Sequence, residues 1–352
     1  MTVRADNLGS LLRPSYLLDA RHNGHSPEQL REIEDRAIEE VIRFQEDVGL
    51  PIVTDGEYRR RFFFSTVEVL LEGIDPLGFV RHHRDEEGVQ HELRTPTPVK
   101  RLSRISTLAD YEAAFLRPRT QKLVKVTMPP PSLLVNYFTD GVSDKAYPDR
   151  EAYREHLIEL LNEDAKALAA AGVDHIQLDA PHYAYIQKLI ADVTDRNATL
   201  RHLVETDNRV FDGVEGVTKS LHICRGNDRS HYTGTEPYDD FAAAIFPHTA
   251  ADRLLLEYDD ERSGGFSPLR HAREDQTVVL GLVTTKRSDM ESADELKQRI
   301  EEASQYMPLD RLALSTQCGF GSNSEGNAIT YDAQRAKLEL VVQVATDVWG
   351  NP

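Results

Sequence analysis

The sequence predicts an α/β protein built as a single (β/α)8 TIM barrel, on three grounds: short β-branched runs, long amphipathic stretches between them, and a polar, acidic or glycine residue closing nearly every run. The clearest runs are residues 51–54 (PIVT), 122–127 (KLVKVT), 174–178 (DHIQL), 218–223 (TKSLHI), 253–256 (RLLL), 277–283 (TVVLGLV) and 311–315 (RLALS). With the region 3–11 they make about eight strands, the barrel number. Helical periodicity covers 27–48, 149–171, 186–211, 239–248, 292–306 and 332–348. Ser26 before Pro27, and Ser292 with Glu295 three residues on, are helix starts, while Gly49 and Gly172 stand where helices stop. Residues 59–119 are polar and rich in His, Arg and Pro, and read as an elaborated connection after the second strand, a lid or a hairpin. Parallel barrels reach this length as one unit, so 1–352 is expected to be one domain. A doubly wound open sheet competes, but no GxGxxG or GxxxxGK[ST] follows an early strand.

A formal charge of −18 repels nucleic-acid phosphates and anionic lipids, which points to a small-molecule partner and away from nucleic acid and membrane. The first residues lack a long apolar core, and no later stretch approaches the ~20 apolar residues of a membrane span, so a cytoplasmic location is expected. The two cysteines, Cys224 and Cys318, are too few for a disulfide scaffold and suit a reducing compartment.

His222-Ile223-Cys224 closes the fifth run, where alternation along an extended segment points both reactive side chains to one face. Glu257, in LLLEYDD, closes the sixth run, and Cys318, in STQCGFGS, closes the eighth. Barrel strands deliver their C-terminal ends to one mouth. One imidazole, two thiolates and one carboxylate suit a tetrahedral zinc. Electron-rich thiolates temper the Lewis acidity of such a zinc, which favours activating an incoming thiol over water and implies S-alkylation. Residue chemistry alone leaves a second reading open, with Cys224 and Cys318 as buried apolar fillers and His222 as a hydrogen-bonded core residue.

These segments resemble the catalytic domain of cobalamin-independent methionine synthase and its relatives, a barrel family that includes epoxyalkane:coenzyme M transferases. The likeness covers nearly the whole chain. It implies zinc held by His222, Cys224, Glu257 and Cys318. Leu8-Gly9-Ser10 is similar to the family's Ile-Gly-Ser segment that contacts homocysteine, and Asp55-Gly56-Glu57 to a Gly-Glu element whose carboxylate binds the ammonium group. Asp179, in IQLDAP, matches the aspartate of IQxDEP, a further partner of that ammonium. The chain departs from the family in three ways. Ala180 replaces the motif's glutamate, with Pro181, His182 and Tyr183 following. An Asp-Ile-His segment, whose histidine protonates the departing folate, reads Thr284-Thr285-Lys286, and Lys286 reads either as a proton donor or anion binder with a lowered pKa or as an exposed helix-entry lysine. The chain is also about half the length of the two-barrel synthases, as are short relatives that use methylcobalamin carried by a protein, or epoxides.

The resulting expectation is a zinc-dependent thiol S-methyltransferase that carries a methyl from 5-methyltetrahydrofolate or a related donor to homocysteine, forming methionine. Ser10, Glu57 and Asp179 orient the amino acid, while Glu257 loosens as sulfur arrives. Two other readings stay open: alkyl transfer to another thiol such as coenzyme M, from an epoxide or a corrinoid protein, and a metal-free barrel decarboxylase or binding protein. Arg59, Arg60 and Arg61, followed by Phe62 to Phe64, read either as a clamp for an anionic donor or sulfonate or as a charged turn entering a buried strand. His82, His83 and His91 read as a surface loop.

Overall fold

The computed structural model describes residues 2–84, 89–189, 194–232, 234–324 and 326–352. Its strands are β1 Ala5–Asp6, β2 Ile52–Val53, β3 Leu71–Arg84, β4 Gln90–Arg104, β5 Leu123–Met128, β6 His175–Asp179, β7 Thr218–Ile223, β8 Arg253–Glu257, β9 Thr277–Val283 and β10 Leu312–Thr316. Eight of them form one sheet in the order β1-β10-β9-β8-β7-β6-β5-β2, and every pairing in it is parallel. Chain order running round the sheet, with helices between strands, makes a nearly closed barrel. At the seam between β1 and β2, just beyond both strands, the Leu11 N–H donates to Gly56 O at 3.1 Å.

The β-branched runs land on these strands with small shifts at their ends. The exception is the region 3–11, where only Ala5 and Asp6 pair as a strand. Beyond them side chains take over the backbone: Lys125 Nζ donates to Asn7 O (2.6 Å) and Gln177 Nε2 to Leu8 O (2.6 Å). Helix Pro27–Asp47 begins at Ser26 with a reciprocal capping box to Gln29, and Asp149, Ser292 and Thr330 cap the helices Arg150–Ala170, Ala293–Ser304 and Tyr331–Trp349.

Two helical stretches differ from expectation. The span 239–248 holds the end of the 3-10 turn Tyr238–Asp240 and the single-turn helix Ala242–Ile245; Phe246 keeps helical backbone, but Pro247 has no N–H with which to carry the helix on. The span 186–211 divides into His182–Leu189 and Arg196–Asn208, the second opened by a new cap in which Asp195 accepts from Ala198 N at 2.8 Å; residues 190–193 lie outside the described residues. The connection 59–119 is a hairpin, β3 pairing antiparallel with β4 in a sheet of its own. His82, His83 and His91 therefore sit on hairpin strands rather than in a loop. The hairpin rises from helix Thr66–Leu70 and returns through the π-helical turn Ala109–Ala113.

The inside of the barrel is layered. Its floor is charged, with Asp6 between Lys125 (2.6 Å) and Arg253 (3.3 Å), all three buried. Above it Leu8, Leu255, Val279 and Ala313 form a fully buried apolar layer. Strand alternation then carries the next inward residues, Asp179, His222 and Glu257 among them, to the mouth. Among the described residues no helix is long and apolar enough to cross a membrane.

Candidate metal centre

At the C-terminal ends of β7, β8 and β10, one ligand atom each from His222, Cys224, Glu257 and Cys318 lies within 4.8 Å of all the others. The two sulfurs are 3.7 Å apart, and His222 Nε2 stands 3.6 Å from Glu257 Oε1, too far for a hydrogen bond. Glu257 is fully buried, and among the described residues neither of its oxygens has a hydrogen-bond partner; nor does His222 Nε2. A buried carboxylate with no donor is costly unless a cation faces it. These orphaned atoms and two adjoining thiols are of the kinds that coordinate zinc, and the residues could hold such an ion.

His222 is held from behind. Asp179 stands opposite it in the β6–β7 register, and His222 Nδ1 donates to Asp179 Oδ1 at 2.9 Å, which leaves Nε2 facing the cluster. Gln177 Nε2 donates to the same oxygen at 2.7 Å. Burial depresses the imidazole's pKa, but the Asp179 bond, the nearby Glu257 carboxylate as a second acceptor and the Cys318 charge outweigh it and raise it to about 10. The hydrogen bond between the sulfurs pulls Cys318 below and pushes Cys224 above the ordinary thiol value, with burial resisting ionisation of both. The cluster is short of positive charge.

Ser10 reaches this centre because Gly319 lets it: a Cβ on Gly319 would lie 2.6 Å from Ser10 N and 2.7 Å from Ser10 Oγ. Phe320 N donates to Ser10 O at 2.7 Å, and the buried Ser10 hydroxyl has no partner among the described residues. Glu57, just past β2, has left-handed backbone (φ +58°), a conformation few non-glycine residues adopt. Arg13 holds that turn, its Nη2 donating to Glu57 O (2.8 Å) and Arg60 O (2.9 Å). Burial lifts the Glu57 pKa and the charge of Asp179 adds to the rise, against Arg60. The structure thus gathers Ser10, Glu57 and Asp179 at one mouth with His222, Cys224, Glu257 and Cys318.

A family model described as the catalytic domain of cobalamin-independent synthase matches residues 13–347. The chain belongs to that family. Bacillus subtilis YxjH is 35% identical to it, over 98% of this chain and 94% of YxjH. The 2-hydroxypropyl-CoM lyase of Xanthobacter autotrophicus is 26% identical, over 80% of this chain and 78% of the lyase. In fold the chain matches the B12-independent methionine synthase of Shewanella sp. W3-18-1, solved with selenomethionine, with a TM-score of 0.79 at 23% identity, covering 99% of this chain and 98% of that one.

Within this cobalamin-independent synthase barrel two expectations change. Lys286 does not have a lowered pKa. Burial would lower it, but Asp259, 3.0 Å away, and the charge of Glu257 raise it above the ordinary lysine value. The arginines do not form a three-fold clamp either: Arg59 pairs with Asp35 and packs over Phe115 at 4.8 Å, Arg60 pairs with Glu112, and only Arg61 is exposed, lying over Phe62 at 5.1 Å. Sequence reasoning missed the bonds that fasten the synthase barrel's mouth loops. Thr285 donates from N and Oγ1 to Gln317 Oε1 (2.9 and 2.7 Å), Asn227 Nδ2 to Gly319 O (2.7 Å) and Asn327 Nδ2 to Thr285 O (2.9 Å). No motif marks these four residues.

Proposed function

We propose that this barrel, one domain over residues 1–352, is a zinc-dependent thiol S-methyltransferase. It would move a methyl group from 5-methyltetrahydrofolate or a related donor to homocysteine and form methionine in the cytoplasm. The observation that carries the reading is the convergence of His222, Cys224, Glu257 and Cys318 within 4.8 Å, with the buried His222 Nε2 and both Glu257 oxygens lacking a hydrogen-bond partner among the described residues. Zinc bound there would supply a soft Lewis acid that lowers the pKa of an incoming thiol without quenching its nucleophilicity.

The chain's own residues do the rest. Glu57 and Asp179 offer two carboxylates to the substrate ammonium, and the unpartnered Ser10 hydroxyl is available to the same molecule. Orientation sets the sulfur in line with the methyl carbon, so that the S–C bond forms as the donor's N–C bond breaks and the departing nitrogen takes up a proton. Lys286, kept protonated by Asp259, contributes positive charge beside Glu257, which steadies that carboxylate as it loosens.

Alkyl transfer to a sulfonated thiol is less well supported, because the substrate end presents carboxylates, and Arg59 and Arg60 are committed to Asp35 and Glu112. The test is the purified protein with homocysteine or coenzyme M, offered methyltetrahydrofolate or methylcobalamin, with zinc counted per chain. Methionine and about one zinc per chain are expected. Alkylation of coenzyme M alone would favour the other transfer, and a zinc-free protein would sink both. Asp179→Ala is expected to weaken zinc binding roughly 10- to 100-fold in a chelator competition, because it removes the bond that orients His222. An unchanged affinity would leave Asp179 a substrate role only.

A further inference from the structure

We infer that Glu112, brought to the mouth by the returning leg of the inserted hairpin, is a positioning residue for the substrate's amino end, because it holds Arg60 away from Glu57. The inference rests on the proposed transfer to an amino-acid thiol. Arg60 is buried and reaches four residues, one of them through Nη1 to Phe63 O at 3.2 Å. It gives Glu112 a two-pronged pair, Nε to Oε1 at 2.8 Å and Nη2 to Oε2 at 2.7 Å. It donates to Thr127 twice, Nη1 to Oγ1 and Nη2 to the carbonyl, each at 2.7 Å. Its approach to Glu57 Oε1 is only 3.5 Å.

Glu57 in turn takes its one short bond on Oε1, from the Thr127 hydroxyl at 2.9 Å. Among the described residues its Oε2 has no partner. A guanidinium fork spent on Glu112 cannot also chelate Glu57. Glu57 therefore keeps negative charge for an ammonium group, while Arg60, still close, keeps that carboxylate from being stranded in a buried site. Were Glu112 neutral, the same fork would turn to Glu57 and occupy the oxygens that the substrate needs. Glu112 itself sits in the π-helical turn Ala109–Ala113 and is 1% exposed, so its contact with the substrate end runs through Arg60. The hairpin excursion thereby serves the site, since its return anchors the far carboxylate of a Glu57–Arg60–Glu112 chain.

The test compares homocysteine with 4-mercaptobutyrate, the same thiol acid without its amino group, in wild type, Glu112→Gln and Glu112→Asp, each loaded with zinc and checked for zinc content and melting. Wild type should prefer the amino thiol by roughly 10- to 100-fold in kcat/KM, the worth of a charge-assisted contact. Glu112→Gln should lose most of that preference through a higher KM for homocysteine, with kcat and zinc content little changed, and Glu112→Asp should recover much of it. A merely structural role would slow both thiols alike. A wild type that does not distinguish the two thiols sinks the amino-acid reading and this inference with it. A discriminating wild type with an equally discriminating Glu112→Gln sinks this inference alone. Should Glu112→Gln not accumulate as folded protein, Thr127→Val, which takes away the hydroxyl that holds Arg60 Nη1 and so lets the guanidinium turn to Glu57, carries the same expectation, and a retained preference there overturns it.

Discussion

Cys318→Ser should leave the purified protein with little zinc and cut thiol methylation by more than the roughly 10- to 100-fold expected for losing an outer partner of a metal ligand. The serine hydroxyl does not ionise near neutral pH, so the proposed set of two thiolates, an imidazole and a carboxylate would fall to three ligands. The loss is compounded locally. Cys224 is hydrogen-bonded to Cys318 across 3.7 Å, and the Glu257 carboxylate beside them has no hydrogen bond among the described residues to fall back on. Metal content by mass spectrometry and methionine formation would be measured together. A ligand that binds only the folded state also stabilises it, so a chelator should lower the melting temperature of wild type and leave that of Cys318→Ser unmoved. Full zinc and full activity in the serine variant would remove Cys318 from the ligand set.

Why some of this was legible in the sequence and some was not follows from the range of the interactions. The run 218–223 coincides with β7, and 277–283 with β9, because a buried parallel strand writes itself as a short apolar run between polar stops. His222 and Cys224 share a face by local alternation alone, and their meeting with Glu257 and Cys318 follows from the rule that barrel strands end at one mouth. The hydrogen bond from His222 to Asp179 needed the β6–β7 register, which no local pattern supplies. Glu112 was harder still. It lies 52 residues from Arg60, in a turn with no motif, and only the folded path of the hairpin brings the two together. The span 239–248 failed for a local reason, since its apolar spacing is helical but Pro247 ends the helix after one turn. Lys286 shows the limit of reading charge from sequence: the neighbour that sets its proton affinity is Asp259, from the end of a different strand.

Asp6→Asn should be the most destabilising substitution on the barrel floor, costing about 3–5 kcal/mol, as expected when a buried charge loses its partner. The floor is unevenly matched, with one carboxylate serving two cations. Burial would raise the Asp6 pKa, but Lys125 and Arg253 outweigh it, and Asp6 is held below the ordinary carboxylate value. Lys125 is also held below its ordinary value, because burial costs the ammonium more than a shared Asp6 returns. The two shifts disagree about whether the pair is a net gain, and the surplus cation resolves them: the carboxylate gains from both neighbours, while each cation is only partly repaid. Asp6→Asn leaves Lys125 and Arg253 facing each other in a dry layer. Lys125→Met leaves Asp6 with Arg253 at 3.3 Å and should cost clearly less. Because the folded pKa of Asp6 is depressed, its contribution is present above the unfolded carboxylate value of about 3.9 and is lost as pH falls through the folded value. Urea midpoints for both variants at neutral pH, and for wild type and Asp6→Asn down to acid pH, would test the ordering. The gap between wild type and Asp6→Asn should narrow in acid, and a larger loss from Lys125→Met than from Asp6→Asn would show that the floor is held by the lysine rather than by the carboxylate it surrounds.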